Sequence, residues 1–165
     1  MAPSADLHFQ DHHEGVDWTE LEALFAQAGL AGRQGDKLRR AFLASTAVCY
    51  VFEKDRLIGV ARAISDGEYH AVIYDVAVHP DYQSQGLGRE IMGRLQAKLP
   101  VWRVMLVADV EVQGFYQRLG FSAYPDTLAR LDWNRLYDGS PTSSLLPTQK
   151  AGELAAAVLH QDKCL

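Results

Sequence analysis

Cysteine is scarce. Of 165 residues only Cys49 and Cys164 are cysteines, and they form no CxxC pair. Cys49 lies in the apolar run Ala47-Val48-Cys49-Tyr50-Val51, where it reads as a buried small hydrophobe rather than a nucleophile. Long apolar stretches are missing too: no uncharged run approaches the roughly 18 residues a spanning helix needs, so no membrane contact is expected. Positive charge is in deficit, with 16 Lys and Arg against 21 Asp and Glu and a formal net charge of −5. That balance speaks against a nucleic-acid partner held by general phosphate attraction. The segment Met1-Ala2-Pro3-Ser4-Ala5-Asp6 lacks a basic stretch followed by an apolar core, so the expectation is a cytoplasmic protein without a secretory signal. His12-His13-Glu14 is a poor metal site, because adjacent residues seldom converge on one ion; no metal is expected.

What is present suits a globular α/β chain. The length fits one domain of about 100–200 residues, and a 48% hydrophobic, 22% charged composition is ordinary for one. Leu7-His8-Phe9 suggests a first strand. Asp17 or Thr19 can cap a helix carrying Leu21, Leu24, Phe25 and Ala28 on one face. A second helix is expected over Asp36 to Leu43, with Leu38, Ala41 and Phe42 inward. Thr46 to Glu53, a turn at 54–56, and Leu57 to Ile64 read as a hairpin. Tyr69 to Val78 is the strongest strand signal, rich in β-branched and aromatic residues, and His79-Pro80-Asp81 ends it.

Ile91, Met92, Leu95 and Leu99 then mark a helix face that Pro100 stops. Val101 to Ala108 is expected as a buried strand, Val110 to Leu119 as a helix closed by Gly120, and Phe121 onward, including Leu128 to Trp133, as a last strand pair. Asp138 to Ser144 has linker composition, and Gln149 to His160 helix-forming residues. The division is therefore a domain over 1–137 and a linker plus helix over 138–165. The element order predicts a mixed α/β layer fold.

The chemistry points to Gln83-Ser84-Gln85-Gly86-Leu87-Gly88-Arg89, between the strong strand and a helix. The first turn of a helix offers unpaired N–H groups and about half a positive charge. Glycines let the preceding backbone curl its own N–H groups toward an anion and let a phosphate approach closely. Arg89 can add a charge-assisted contact. The loop lacks the GxxxxGK[ST] of a P-loop, and Gly93 comes five residues after Gly88, which breaks a GxGxxG fingerprint. A glycine-softened turn that merely packs strand on helix is the alternative.

The segment Val76-Ala77-Val78-His79-Pro80-Asp81-Tyr82-Gln83-Ser84-Gln85-Gly86-Leu87-Gly88 resembles the acetyl-CoA-binding motif of the GNAT N-acetyltransferase superfamily, [Arg/Gln]-x-x-Gly-x-[Gly/Ala] after a strand ending in Val-x-Pro. Gly114-Phe115-Tyr116-Gln117-Arg118-Leu119-Gly120-Phe121 resembles the Phe-Tyr-x-x-x-Gly-Phe element of the same superfamily. More narrowly, Ala61 to Gly67 with Tyr74 to Pro80 is similar to bacterial relatives of chloroplast-type serotonin N-acetyltransferases. The resemblance implies a mainly antiparallel sheet with one splayed parallel pair, the strand ending near Val78 parting from the one beginning near Val101. Acetyl-CoA would be the cosubstrate. It would lie along Val76-Ala77-Val78, with pantetheine pairing to the backbone of Val76 and Val78 and the pyrophosphate on residues 83–89. GNAT proteins are often dimers, so a homodimer to which Gln149–His160 contributes is admitted.

Attack of an amine on a thioester needs a neutral amine, stabilisation of the tetrahedral oxyanion and a proton for the thiolate. The resemblance puts Tyr116 beside the sulfur as the acid; from the residues alone Phe115, Tyr116 and Leu119 read as a helical core stripe. For the base, Asp75 is a lone carboxylate in an apolar strand, a setting that favours taking up a proton. Strict alternation would put Asp75 with Ile73, Ala77 and His79 on one face and Val72, Tyr74, Val76 and Val78 on the other. The other reading of Asp75 is a structural carboxylate bonded to an arginine such as Arg62. Val72 stands where many GNATs place a Glu or His base, so a water relay from Asp75 or Tyr74 is the remaining route. The expected activity is acetyl transfer to a primary amine, either a small aryl- or alkylamine or an amino-acid or peptide N-terminus. The alternatives are a CoA-binding module without turnover and an enzyme using a longer acyl chain.

Overall fold

The computed structural model describes residues 7–30, 32–124 and 127–130. The chain divides into two units, 1–124 and 125–165. Every helix and strand among the described residues lies in the first; residues 127–130 form neither.

Five strands make one sheet in chain order: β1 (Leu7–Gln10), β2 (Ala47–Glu53), β3 (Arg56–Ser65), β4 (His70–Val78) and β5 (Arg103–Leu106). The first three pairings are antiparallel and the last, β4 with β5, is parallel. A parallel neighbour cannot be reached by a tight turn; here the crossover carries helix α3 (Leu87–Gln96). Helices α1 (Trp18–Gln27) and α2 (Gly35–Leu43) precede β2, and α4 (Val110–Gln117) follows β5. This is the mixed, mainly antiparallel sheet with one parallel pair that the sequence predicts.

Local chemistry explains the helix ends. The carboxylate of Asp17 accepts the N–H groups of Thr19 at 2.8 Å and Glu20 at 3.3 Å, so α1 starts with a side-chain cap. After α4, Gly120 takes φ +90, and the Phe121 N–H reaches back to the Tyr116 carbonyl at 3.1 Å, a glycine stop.

The sheet has a core on each face. On one side Leu21, Leu24, Phe25, Leu38 and Phe42 from α1 and α2 cover Tyr50, Val60 and Ala77. On the other, Ile91, Met92 and Leu95 of α3 cover Cys49, Val51, Ile58, Ala61 and Ile73. A strand buried on both faces needs apolar residues at successive positions, which is why β2 reads Ala-Val-Cys-Tyr-Val-Phe rather than alternating. Burial pushes the Cys49 thiol up to about 11, consistent with an inert core residue.

Gly59 lets α3 lie close on the sheet. A Cβ there would sit 2.7 Å from Ile91 Cδ1 and 3.6 Å from both Leu87 Cδ2 and Val51 Cβ. Overpacking of this kind costs ~1–3 kcal/mol. Gly59→Ala is therefore expected to lower the melting temperature by several degrees; an unchanged thermal midpoint would show that α3 moves out freely.

Three expectations change. The strand expected over Val101–Ala108 is shorter and only half-buried, and Val107 is 90% exposed; β5 ends the sheet among the described residues, so nothing described there covers its far side. No strand appears in Phe121–Tyr124 or 127–130; the rest of that expected pair to Trp133, the linker at 138–144 and the helix at 149–160 lie outside the described residues. The strict alternation along β4 also fails. Arg62 pairs with Tyr74 but Val60 pairs with Ala77, so two steps on β3 span three on β4. The extra residue is a β-bulge at Asp75, whose φ is +53. Past the bulge the faces exchange. Ile73 packs under α3, whereas Ala77 packs under α1 and α2.

Candidate active site

The bulge stands where the sheet opens. The parallel ladder runs from His70↔Arg103 to Ile73↔Leu106 and stops, while β4 continues to Val78 against β3. The His79 N–H donates to Ile58 O at 2.8 Å, so residue 79 faces β3. With the two-residue period of a ladder, Val76 and Val78 turn their backbone groups the other way, toward the opening. One of these groups is taken: the Val78 carbonyl accepts Gln83 Nε2 at 2.9 Å. Ala77 instead pairs with Val60 and buries its methyl group under α1 and α2.

His79 caps the single 3₁₀ turn at Pro80–Tyr82, its Nδ1 lying 3.2 Å from the Asp81 N–H, and its Nε2 lies 2.8 Å from Arg56. It belongs to the strand end, as expected. Gln85 Nε2 bonds the Asp81 carbonyl at 2.7 Å. These two glutamines tie the first half of the loop back to the strand end and the turn before it through their side chains. Its main chain is held only by loose turns: among the described residues, no carbonyl or side chain makes a well-formed hydrogen bond to the backbone N–H of Ser84, Gln85, Gly86, Leu87, Gly88 or Arg89. Such a row is costly unless water or an anion accepts it.

The backbone shape explains the row. Ser84 has φ +60 and Gly86, the residue before α3, has φ +89 and ψ −8. Left-handed residues among right-handed ones turn consecutive N–H groups to one side and form an anion-binding concavity. Leu87, the first residue of α3, is buried in the core between α3 and the sheet and anchors the turn, while Gln83, Ser84, Gln85, Gly86 and Arg89 are exposed. Glu90, also in the first turn, pairs its carboxylate with Arg94 at 2.7 Å, which offsets a charge that would otherwise oppose an anion.

The two glycines are small for different reasons. A Cβ on Gly86 would meet no protein atom within 4 Å, so its requirement is the backbone angle and the space in front of it. A Cβ on Gly88 would lie 3.3 Å from the Phe115 ring and 3.9 Å from Val78. Gly88 is therefore where the helix after β5 meets the loop after β4, and it brings the two sequence motifs into contact.

That contact seats Tyr116. Its ring stands edge-on to Phe115 and Phe121, with centroids at 5.0 and 6.1 Å, against the core under α3. Burial pushes its phenol above the usual value near 10, so it holds its proton throughout neutral pH. The core-stripe and acid readings are thus compatible: the ring packs while the hydroxyl remains a donor.

Asp75 is placed differently from a free base. Its carboxylate, 3% exposed, accepts Arg33 Nε at 2.7 Å on one oxygen and Arg62 Nε at 2.5 Å on the other. The arginine-bound reading, with Arg62 as partner, is the geometry observed. Arg33 was not legible in the sequence; it lies 42 residues earlier, in the turn between α1 and α2.

Comparison with known proteins bears on this arrangement. An uncharacterized N-acetyltransferase, ycf52, of Porphyra purpurea is 34% identical over 127 residues, covering 73% of this chain and 73% of that protein. A family model for the acetyltransferase (GNAT) domain matches residues 45–123. The chain belongs to the GNAT acetyltransferase family. The match takes in both β4 with its loop and α4 with its tyrosine. Among other GNAT relatives, the chloroplastic serotonin N-acetyltransferase 2 of Oryza sativa subsp. japonica is 38% identical over 128 residues, which are 73% of this chain but only 64% of that protein. The GNAT family protein SP0256 of Streptococcus pneumoniae TIGR4 shares the fold, with a TM-score of 0.66 over 78% of this chain and 98% of that one at 23% identity.

Proposed function

We propose that this GNAT chain transfers the acetyl group of acetyl-CoA to a primary amine by direct attack of the amine. The observation that carries the reading is the free row of N–H groups from Ser84 to Arg89, set at an uncapped helix start beside a parted strand pair. The residues present fit the cosubstrate: Gly86 leaves open space where a side chain would stand, and the row supplies donors to a diphosphate.

When bound, acetyl-CoA supplies an acyl thioester. The loop Gln83 to Arg89 holds the diphosphate, and the outward backbone of Val76 and Val78 orients the pantetheine arm as an added strand would be held. Tyr116 keeps its phenolic proton at neutral pH and delivers it to the departing sulfur. Asp75, with both oxygens engaged, does not serve as the base; the amine loses its proton to water. Similarity to an enzyme named for serotonin supports a small arylalkylamine as the first acceptor to try, with amino-acid and peptide N-termini after it.

The engaged carboxylate of Asp75 also favours a second reading, a CoA-binding module without turnover. Thiol release from acetyl-CoA across an amine panel separates the two. Release with at least one amine is expected. Binding of acetyl-CoA without release for any amine would leave the module, and faster release with longer acyl-CoAs would reassign the donor.

A further inference from the structure

We propose that Arg33, Asp75 and Arg62 form a positioning clamp, which holds the opening between β4 and β5 in shape and ties it to the turn between α1 and α2. The proposal rests on the acetyl-CoA reading above. It starts from an uncommon backbone: Asp75 holds φ +53 inside a strand, in the left-handed region that aspartate tolerates better than most residues but that a strand seldom uses.

The surroundings are two guanidinium groups on one buried carboxylate. Arg62 lies opposite Tyr74 on β3, directly beside the bulge, and its guanidinium sits over the Tyr74 ring at 5.2 Å and the Phe42 ring at 5.7 Å. Its Nη1 is also 3.5 Å from the Ala41 carbonyl and from Ser45 Oγ at the end of α2. Arg62 is 12% exposed and Arg33 44% exposed, so one arm of the clamp is internal and the other open to solvent.

Position in the fold makes the clamp more than a core ion pair. The last β4–β5 pair is Ile73↔Leu106, and the bulge residue, Asp75, comes two residues later. Without the extra residue, β4 would keep its phase, and the backbone groups of Val76 and Val78 would exchange direction with those of their neighbours. Asp75 thus sets which groups face the opening. Charge-assisted bonds to buried carboxylates are among the stronger side-chain contacts, and their loss is felt where the geometry is needed.

The test uses the full chain with Arg33→Gln, Arg33→Lys, Asp75→Asn and the double variant Arg33→Gln/Asp75→Asn. Calorimetric titration with acetyl-CoA is read beside melting temperature, and turnover with an amine accepted by the wild type is followed across neutral pH. Arg33→Gln is expected to bind acetyl-CoA about tenfold more weakly, with the melting temperature lowered only modestly because Arg62 still holds the carboxylate, and with recovery in Arg33→Lys. The double variant should lose no more than Asp75→Asn alone, because the bridge that Arg33→Gln removes is one that Asp75→Asn has already broken. Asp75→Asn should scale turnover down without altering the shape of its pH profile. Wild-type affinity in Arg33→Gln overturns the clamp, as do additive losses. Loss of the acidic limb of the profile in Asp75→Asn, with affinity intact, makes Asp75 the base and overturns it too. Should Asp75→Asn fail to fold, Arg33→Gln and Arg33→Lys decide. A wild type that does not bind acetyl-CoA at all removes the parent reading instead, which the same titration shows first.

Discussion

Gly86→Val is expected to abolish measurable acetyl-CoA binding in a chain that still folds. A Cβ at position 86 would meet no protein atom within 4 Å, so the folded chain has room for it. The cost to stability is the left-handed backbone, φ +89, at about 1–2 kcal/mol for an ordinary residue and more for a β-branched one. The cost to binding is larger. Relaxing that angle turns away the N–H groups that face the diphosphate, and the side chain fills the space in front of them. Losing two charge-assisted bonds removes ~3–6 kcal/mol, more than a hundredfold in affinity. Gly86→Asn separates the two causes, since asparagine tolerates the left-handed region. It should keep the fold and the loop angle and still bind poorly. Titration calorimetry beside circular dichroism reads both, and a folded Gly86→Val that binds acetyl-CoA as the wild type does would end the cradle assignment.

The second large effect is expected at Tyr116. Tyr116→Phe keeps the ring between Phe115 and Phe121 and removes only the hydroxyl, so packing and acetyl-CoA affinity should be nearly unchanged. Turnover should fall by roughly 10²–10⁴, the usual contribution of a positioned proton donor. The sign of the pH dependence follows from burial. Desolvation raises the phenol above its ordinary value near 10, so its ionisation removes activity only in strong alkali. Any alkaline loss nearer neutrality in the wild type must come from another group and should persist in the variant. Turnover equal to wild type in Tyr116→Phe would return this residue to a packing role.

Much of the fold was legible because its signals are local. Asp17 before an apolar stripe marks a helix start, Gly120 after Leu119 marks a helix end, and β2 declares burial on both faces by composition. The glycine loop proposed to hold the diphosphate was legible for the same reason, since the glycines and the following helix are contiguous in the chain. What was not legible is everything that depends on pairing register. The bulge at Asp75 cannot be read from Val-Ile-Tyr-Asp-Val-Ala; it shows only in the pairing with β3, where Arg62 and Arg33, 13 and 42 residues away in sequence, converge on its carboxylate. Once it is inserted, the faces of Ala77 and Ile73 part, and a strand read by simple alternation is misassigned beyond that point.

By itself, then, the amino-acid order determined the kinds of elements, the mixed α/β class and the glycine turn that opens a helix, because propensity, capping and glycine geometry act over a few residues. Tertiary structure alone decided that Gly88 carries the Phe115 ring, which joins the loop to the tyrosine helix, and that Asp75 is bound by two arginines rather than free. Those are contacts between distant segments, and their geometry comes into being only when sheet and helices pack.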